Sequence, residues 1–386
     1  MSQVAIDVSM VPDKPVGVGK YLLELIKNIN SLPRSFELNL YTRQNDFDRW
    51  NAVVGHKDVL NNKDVLNNKV VVHNIVPSNK AIRVGYENLI LGRIVNSSNI
   101  FHSPHYSVPL NLKIPLIVNI HDLIFFENST YHQFAKAVYF RSQIKQAIKK
   151  ADVIICGTEY IKQKIQKRFN PKGQIEVVPY GVNIQEFEPD EIKSVEDQAL
   201  LTQLKIVKPY ILFVGTIEPR KKVDDLIKAY RMLVETKKID SKMSLILVGK
   251  YGWKYDSVKE LIENNKVGSV VHLGYIPQKY IGPLMRESVC VVYPSETEGF
   301  GLPVLEAMAA KTVVVTTSNS VMEYFAKDAG YYFESGNLED LASTIEKTFV
   351  KGDRNDRILA GYETAKQFGW ENSAKLHLAL YEKMLT

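Results

Sequence analysis

Short runs of β-branched and aromatic residues recur along the whole chain, and most are followed by a stretch with apolar residues at helical spacing. The runs VAIDVSM, FELNLYT, VVVHNIV, NIFHS, LIVNIHD, DVIICGT and QIEVVPY occupy the first half. YILFVGT, SLILVGK, VVHLGYI, VCVVYPS, TVVVTT and GYYFE occupy the second. Between them lie helical patterns such as VDDLIKAYRMLVE and LEDLASTIEKTFV. Strands that alternate with helices in this way predict an α/β fold built on parallel sheets.

The two strand sets are separated by an acidic stretch, Gly181 to Lys208, which contains Pro189 and carries little strand signal. A chain of 386 residues is long enough for two domains with separate cores. The expected division is a first domain over 1–185, a linker over 186–207, a second domain over 208–370, and a final helix over 371–386 that crosses back to the first. An exact tandem repeat, KDVLNN at 57–62 and 63–68, has only two copies and predicts a tolerated loop duplication.

Composition narrows the class. No apolar run reaches the roughly 20 residues needed to span a bilayer. The start, MSQVAIDVSM, lacks a basic segment and carries Asp7, so it reads as a first strand rather than a signal peptide. Cys156 and Cys290 sit inside apolar runs and read as buried thiols, which suits a reducing cytoplasm and makes the sequons at Asn96 and Asn128 uninformative. The net charge of +6 is concentrated in the first half, much of it from Lys136 to Lys150 and from Lys162 to Arg168. Two readings remain open there: solvated helix faces, or attraction to an anionic membrane surface or acceptor. Nucleic acid is not expected, because no aromatic-interleaved basic motif accompanies the charge.

The segment PSETEGFGLPVLEAMAAK, 294–311, carries the strongest chemical signal. A buried strand ends, a glycine-containing turn follows, and a helix starts near Leu302 with Pro303 in its first turn. Gly299 and Gly301 remove bulk where a ligand would meet the backbone, and the free N–H groups of the helix start favour an anion. The carboxylates of Glu298 and Glu306 would repel phosphate, so hydroxyls of a sugar or ribose are their natural partners. In GTIEPRKKVDDLI, Arg220 and Lys221 follow a strand that ends at Gly215, placed to meet a diphosphate with a fork and a point charge.

Other patterns fail on inspection. VGVGKYLLELI superficially resembles a dinucleotide fingerprint, but Leu22 stands at the third glycine and the next strand ends without the acidic residue. Tyr21 after Gly19-Lys20 breaks the Walker loop. The D-x-D at Asp46 and Asp48 lies between Arg43 and Arg49, off any clear strand end, and His102, His105 and His121 fit no zinc spacing. No metal and no cofactor are expected.

Glu298, seven residues, then Glu306, within EGFGLPVLEAMA, resembles the donor site of the retaining family-four glycosyltransferases of the GT-B fold, and the GTIEPRK turn with the following GKYGW resembles bacterial mannosyltransferases of surface polysaccharide synthesis. The resemblance implies two Rossmann-like domains facing across a cleft, the second holding a nucleotide sugar and the first a glycan or lipid-linked saccharide acceptor. It implies that Glu298 contacts the transferred sugar and Glu306 the ribose, while the backbone of Gly299, Phe300, Gly301 and Leu302 approaches sugar and phosphates. Gly215, Arg220 and Lys221 match the family's E-P-R-K turn, where fixed charge takes the place of a metal on the leaving diphosphate. LVGKYGW and VHLGYIP match strand ends that frame the base, which makes Lys250 and Tyr275 donor-pocket candidates. Gly17 and Gly19 match the N-terminal glycine loop near donor phosphate and sugar.

The family's H-D pair corresponds to His121 and Asp122. The histidine then reaches donor sugar or acceptor, and the aspartate orients it or contacts the acceptor; His105 and Tyr106 are further acceptor-side candidates. Glu323 matches a family glutamate but also suits a helix start. GDP-mannose is the first-choice donor, with a UDP-hexose next. A GT-B-fold epimerase, a non-catalytic nucleotide-sugar-binding protein and a dehydrogenase are the competing classes.

Overall fold

The computed structural model describes residues 1–13, 15, 17–55, 69–127, 134–350 and 352–386. The KDVLNN duplication, Val16 of the glycine loop and the sequon at Asn128 therefore lie outside the described residues. The chain forms two compact units, Met1–Gly181 with Trp370–Thr386, and Val182–Gly369.

The first unit is built on a seven-stranded sheet in the order β3-β2-β1-β4-β5-β6-β7. Its strands are β1 (Gln3–Asp7), β2 (Glu37–Arg43), β3 (Val70–Val76), β4 (Ile100–Ser103), β5 (Leu116–Asn119), β6 (Val153–Cys156) and β7 (Gln174–Val177). Every pairing is parallel. Central strands such as LIVN and VIIC are buried at every position, as a sheet covered by helices on both faces requires. The strand order reverses between β1 and β4, so the carboxyl ends of these two strands flank the crevice where open α/β sheets take ligands.

The closing helix, Trp370–Leu385, packs in this unit against the helix Val18–Ser31. A buried polar chain ties them to the sheet. Asn119 Nδ2 donates to the Tyr21 hydroxyl (2.8 Å), which in turn donates to His377 Nε2 (2.9 Å). His102 Nε2 donates to Asn119 Oδ1 (2.6 Å), and the Tyr381 hydroxyl donates to His102 Nδ1 (2.6 Å). His377 Nδ1 donates to Ser373 O (2.7 Å), so each ring nitrogen of both histidines has one partner and both tautomers are fixed. Tyr381→Phe orphans His102 Nδ1 in the core and is expected to cost about 1–3 kcal/mol in urea unfolding.

The second unit carries six parallel strands in the order β10-β9-β8-β11-β12-β13. They are β8 (Tyr210–Val214), β9 (Ser244–Val248), β10 (Ser269–Gly274), β11 (Cys290–Tyr293), β12 (Val313–Thr317) and β13 (Gly330–Phe333). Its order reverses between β8 and β11. The segment 186–207, expected as a linker, is instead part of this unit and mostly helical, including Glu191–Gln203. Its anchor is a buried bidentate pair: Arg286 Nε and Nη2 each lie 2.6 Å from the Asp197 carboxylate. Such a fork fixes orientation as well as position.

Candidate functional site

The two turns at the switch point of the second sheet are bound to each other. After β8 the chain makes a short turn, Pro219–Lys221, and Lys222 adopts the left-handed region (φ 51°, ψ 38°) before the helix Val223–Glu235. After β11 comes the loop that ends at Gly301, the cap of the helix Leu302–Ala309. Glu296 N donates to Arg220 O (2.9 Å), and Thr317 Oγ1 holds Ser295 O (2.9 Å). Gly301 has φ 94°, and a Cβ there would lie 2.7 Å from Met322 Cγ, so backbone conformation and packing both demand glycine. The Phe300 ring is buried and stacks on Phe325, leaving its backbone to the loop. Gly299 and Leu302 are half-buried on either side.

This architecture brings Glu298, Arg220 and Lys221 together. Glu298 Oε1 accepts from Arg220 Nη1 (2.8 Å), Ser295 Oγ (2.6 Å), the Tyr293 hydroxyl (3.1 Å) and Lys221 Nζ. Arg220 Nη2 also meets Glu218 Oε1 at 2.6 Å, and Lys221 Nζ bonds the Tyr293 hydroxyl. Burial alone would raise the Glu298 carboxyl, but Arg220 and Lys221 outweigh it and hold the group down at about 2. Burial, reinforced by the neighbouring Arg220 charge, pushes the Lys221 ammonium down to about 8 despite Glu298. Arg220 is raised by Glu298 and Glu218 against its own desolvation.

Lys221 therefore loses its proton near the upper edge of the physiological range. For an anionic ligand held by this cation, kcat/KM is expected to fall as pH rises through about 8. Lys221→Arg should carry activity beyond that limit, and an unchanged alkaline limb in that variant would assign the limb to another group.

The remaining donor-side candidates stand at the same end of the sheet. Glu306 is buried one turn into its helix, with Gln278 Nε2 at 3.5 Å from its Oε1. Lys250 Nζ lies 5.1 Å from the centre of the Tyr275 ring. Gly215 N donates to Val248 O (2.8 Å), and a Cβ on Gly249 would stand 1.9 Å from Gly215 O. These glycines thus let the ends of β8 and β9 touch. Glu323 accepts from Asn319 N (2.5 Å) and Ser320 caps the same helix, so its geometry is that of a helix start.

In the first unit, Gly17 caps Val18–Ser31 with φ 53°, and a Cβ there would meet nothing within 4 Å. Gly19 differs: a Cβ would lie 2.9 Å from Pro12 Cδ, so glycine is required there for packing. His121, expected to reach donor sugar or acceptor, follows β5. It is buried, its Nε2 donates to Pro104 O (2.6 Å), and its Nδ1 accepts from the Tyr180 hydroxyl. Burial lowers it to about 4, so it is neutral with both nitrogens engaged, and would reach a ligand only by giving one up. Asp122 Oδ1 accepts from Ile124 N (3.1 Å), a turn-forming contact. The Tyr106 ring stands 6.5 Å from His121, and His105 is held against Asp7 at 3.2 Å. Asp46 is paired with Arg43 (2.5 Å) and Arg49 (3.3 Å).

Sequence reasoning missed Tyr293, Ser295 and Glu218 as partners of the charged cluster. The first two were visible as polar residues flanking a strand end inside the same motif; Glu218 belongs to the E-P-R-K turn itself.

A parallel sheet with a charged, hydroxyl-lined cluster at its switch point defines a nucleotide-handling class of α/β protein. Residues 202–362 match the family model Glycosyl transferases group 1, and residues 16–186 match Glycosyltransferase Family 4. The chain is 30% identical over 301 residues to an uncharacterized glycosyltransferase of Methanocaldococcus jannaschii, covering 74% of this chain and 76% of that one. It is 26% identical over 373 residues to the O-antigen chain mannosyltransferase B of Escherichia coli, covering 95% of this chain and 96% of the relative. Sucrose-phosphate synthase from Thermosynechococcus elongatus superposes with a TM-score of 0.75 at 17% identity, over 100% of this chain and 99% of that one. The chain belongs to the family-four glycosyltransferases, of the GT-B fold.

Proposed function

We propose that the protein transfers mannose from GDP-mannose, with retention of configuration and without a metal ion, onto a hydroxyl of a glycan or lipid-linked saccharide. The observation that carries this reading is the convergence of Arg220, Lys221 and Glu298 at one sheet end. Both cations are paired with Glu298. A diphosphate would compete for them and release the carboxylate to accept from a sugar hydroxyl, while Arg220 and Lys221 stabilise the charge that grows on the leaving group. The acceptor oxygen bonds to the anomeric carbon as the bond from that carbon to the phosphate oxygen breaks on the same face. The acceptor proton passes to the departing diphosphate, so no protein nucleophile is needed.

Mannose is favoured by the O-antigen chain mannosyltransferases of Escherichia coli and Salmonella typhimurium among the relatives. The test is a panel of nucleotide sugars with octyl glycosides in EDTA, with the new anomeric centre assigned by NMR. An α-mannoside from GDP-mannose is expected. Transfer from UDP-glucose alone overturns the donor, a β-mannoside overturns retention, and a strict requirement for added magnesium or manganese overturns metal independence.

Among the described residues, no helix is long and apolar enough to cross a membrane. A lipid-linked acceptor would be met at an anionic surface, which suits the basic helices Phe134–Lys150 and Glu159–Arg168. Cosedimentation with phosphatidylglycerol but not phosphatidylcholine vesicles is the expected result, and equal indifference to both removes the membrane from the reading.

A further inference from the structure

A second buried ionic cluster lies at the switch point of the first sheet, and none of the groups above explains it. Asp7 ends β1, His105 follows β4, and Arg83 and Glu87 come from the helical segments Lys80–Tyr86 and Glu87–Leu91 beside them. All four are buried. Asp7 Oδ1 accepts from Ser9 N (2.9 Å), and Ser9 Oγ donates to Glu87 Oε1 (3.1 Å). His105 Nε2 stands 3.2 Å from Asp7 Oδ2, and Arg83 Nε 3.5 Å from Glu87 Oε1. Both are contacts of charge rather than aligned hydrogen bonds: Asp7 Oδ2, His105 Nε2 and Arg83 Nε are buried polar atoms with no hydrogen-bond partner.

An interior this costly needs a reason, since isolated buried charges are replaced by apolar packing at no loss of stability. Its reach supplies one. Through Ser9 it fixes the start of the loop that leads from β1 to the Gly17 cap. His105 fixes the loop after β4, where Ser103 Oγ donates to His105 O (2.6 Å) and Pro104 O receives His121. Glu87 belongs to a π-helical turn, a geometry that recurs at functional sites.

We propose that Asp7, His105 and Glu87 form a positioning clamp for the acceptor, locking the loop after β1 to the loop after β4 in the arrangement that receives the acceptor sugar. This rests on the proposed reading of the first unit as the acceptor side. The three are positioning residues, sealed from the ligand itself. Burial opposes a charge on His105, but Asp7 and then Glu87 overcome it and raise the imidazole above its ordinary value. Arg83 works in the other direction, and the charge of His105 is felt by the neutral His102 and His121. The charge of Glu87 is also felt by Tyr139, on the helix Phe134–Lys150. The clamp is closed while His105 keeps its proton.

Two readouts on the full chain test this. In hydrogen exchange, Asp7→Asn should speed amides 8–11, 13 and 105–107 by about tenfold, leaving the second unit unchanged. In kinetics with octyl α-mannoside, Asp7→Asn should raise acceptor KM about tenfold and change donor KM and acceptor-independent donor hydrolysis by less. Wild-type acceptor KM should rise with pH as His105 deprotonates, and Glu87→Gln should move that rise to lower pH, an effect a merely structural role would not produce. If Asp7→Asn does not fold, Ser107→Ala, which removes the partner of His105 Nδ1 at 3.0 Å, takes its place. Unchanged loop exchange in a folded variant overturns the clamp. Faster exchange with unchanged acceptor KM and pH profile overturns its role for the acceptor. Donor hydrolysis absent from wild type overturns the proposed activity instead, and exchange still decides whether the clamp exists.

Discussion

Arg220→Ala is expected to lower kcat/KM for the nucleotide sugar by about 10²–10³, the range for loss of one fixed charge aimed at a leaving group. The substitution removes the fork that meets Glu298 at 2.8 Å and Glu218 at 2.6 Å. Glu298 then keeps only Lys221 as a cation, so its carboxylate is less strongly held in the charged form. Arg220 is also the neighbour whose charge depresses Lys221. Its removal should therefore move the alkaline limb of the pH profile, near 8 in wild type, to higher pH while activity falls. Arg220→Lys keeps the charge without the fork and should fall between the two. A variant that is folded by circular dichroism and turns over as wild type would remove Arg220 from the chemistry.

The second large effect concerns stability in acid. Burial lowers His102 to about 3 and His121 and His377 to about 4, all within the first unit. In the unfolded chain these imidazoles take up a proton near the ordinary value of about 6.5. Stability is thus fully present above that value and is lost as pH falls from it towards 4, because only the unfolded chain binds the protons. Each group contributes roughly 3 kcal/mol over that window, so three together approach the whole stability of a domain. His105 and Glu87 act oppositely, since their raised values favour folding at low pH, and together they offset a part. The second unit has a single histidine, His272. The first unit should therefore unfold at a higher pH than the second on acidification. Trp50 and Trp370 report the first unit and Trp253 the second, so single-tryptophan variants resolve the order. Loss of the Trp253 signal at a higher pH than those of Trp50 and Trp370 would contradict the buried neutral imidazoles.

Much of this was legible from sequence because the relevant signals are local. All thirteen strands of the described residues match, to within one residue at an end, runs recognised by their apolar content, and the helix at Leu302 starts where Pro303 and the glycine turn place it. Arg220 and Glu298 were each placed at a strand end, but that they meet across 78 positions follows only from the order of the strands in the sheet. What stayed hidden depends on single long-range partners. The helix Glu191–Gln203 exposes Val195 and buries Asp197, so its apolar pattern is weak and its anchor, Arg286, lies 89 positions away. His121 carries the family's motif, but nothing near it in sequence announces that Tyr180 and Pro104 occupy its nitrogens. The pairing of Asp7 with His105 is equally silent, because an aspartate ending a strand is ordinary until the neighbouring strand is known.

The most direct measurement is nucleoside diphosphate release from GDP-mannose in the presence of octyl α-mannoside, by wild type and Glu298→Gln, alongside binding of GDP to both. Wild type should release GDP in step with a product one hexose longer. The variant should lose transfer by about 10² or more yet bind GDP more tightly, because Arg220 and Lys221 no longer have a carboxylate to leave. Transfer by Glu298→Gln at the wild-type rate, with GDP bound no more tightly, would contradict the exchange of Glu298 for diphosphate on which the account rests.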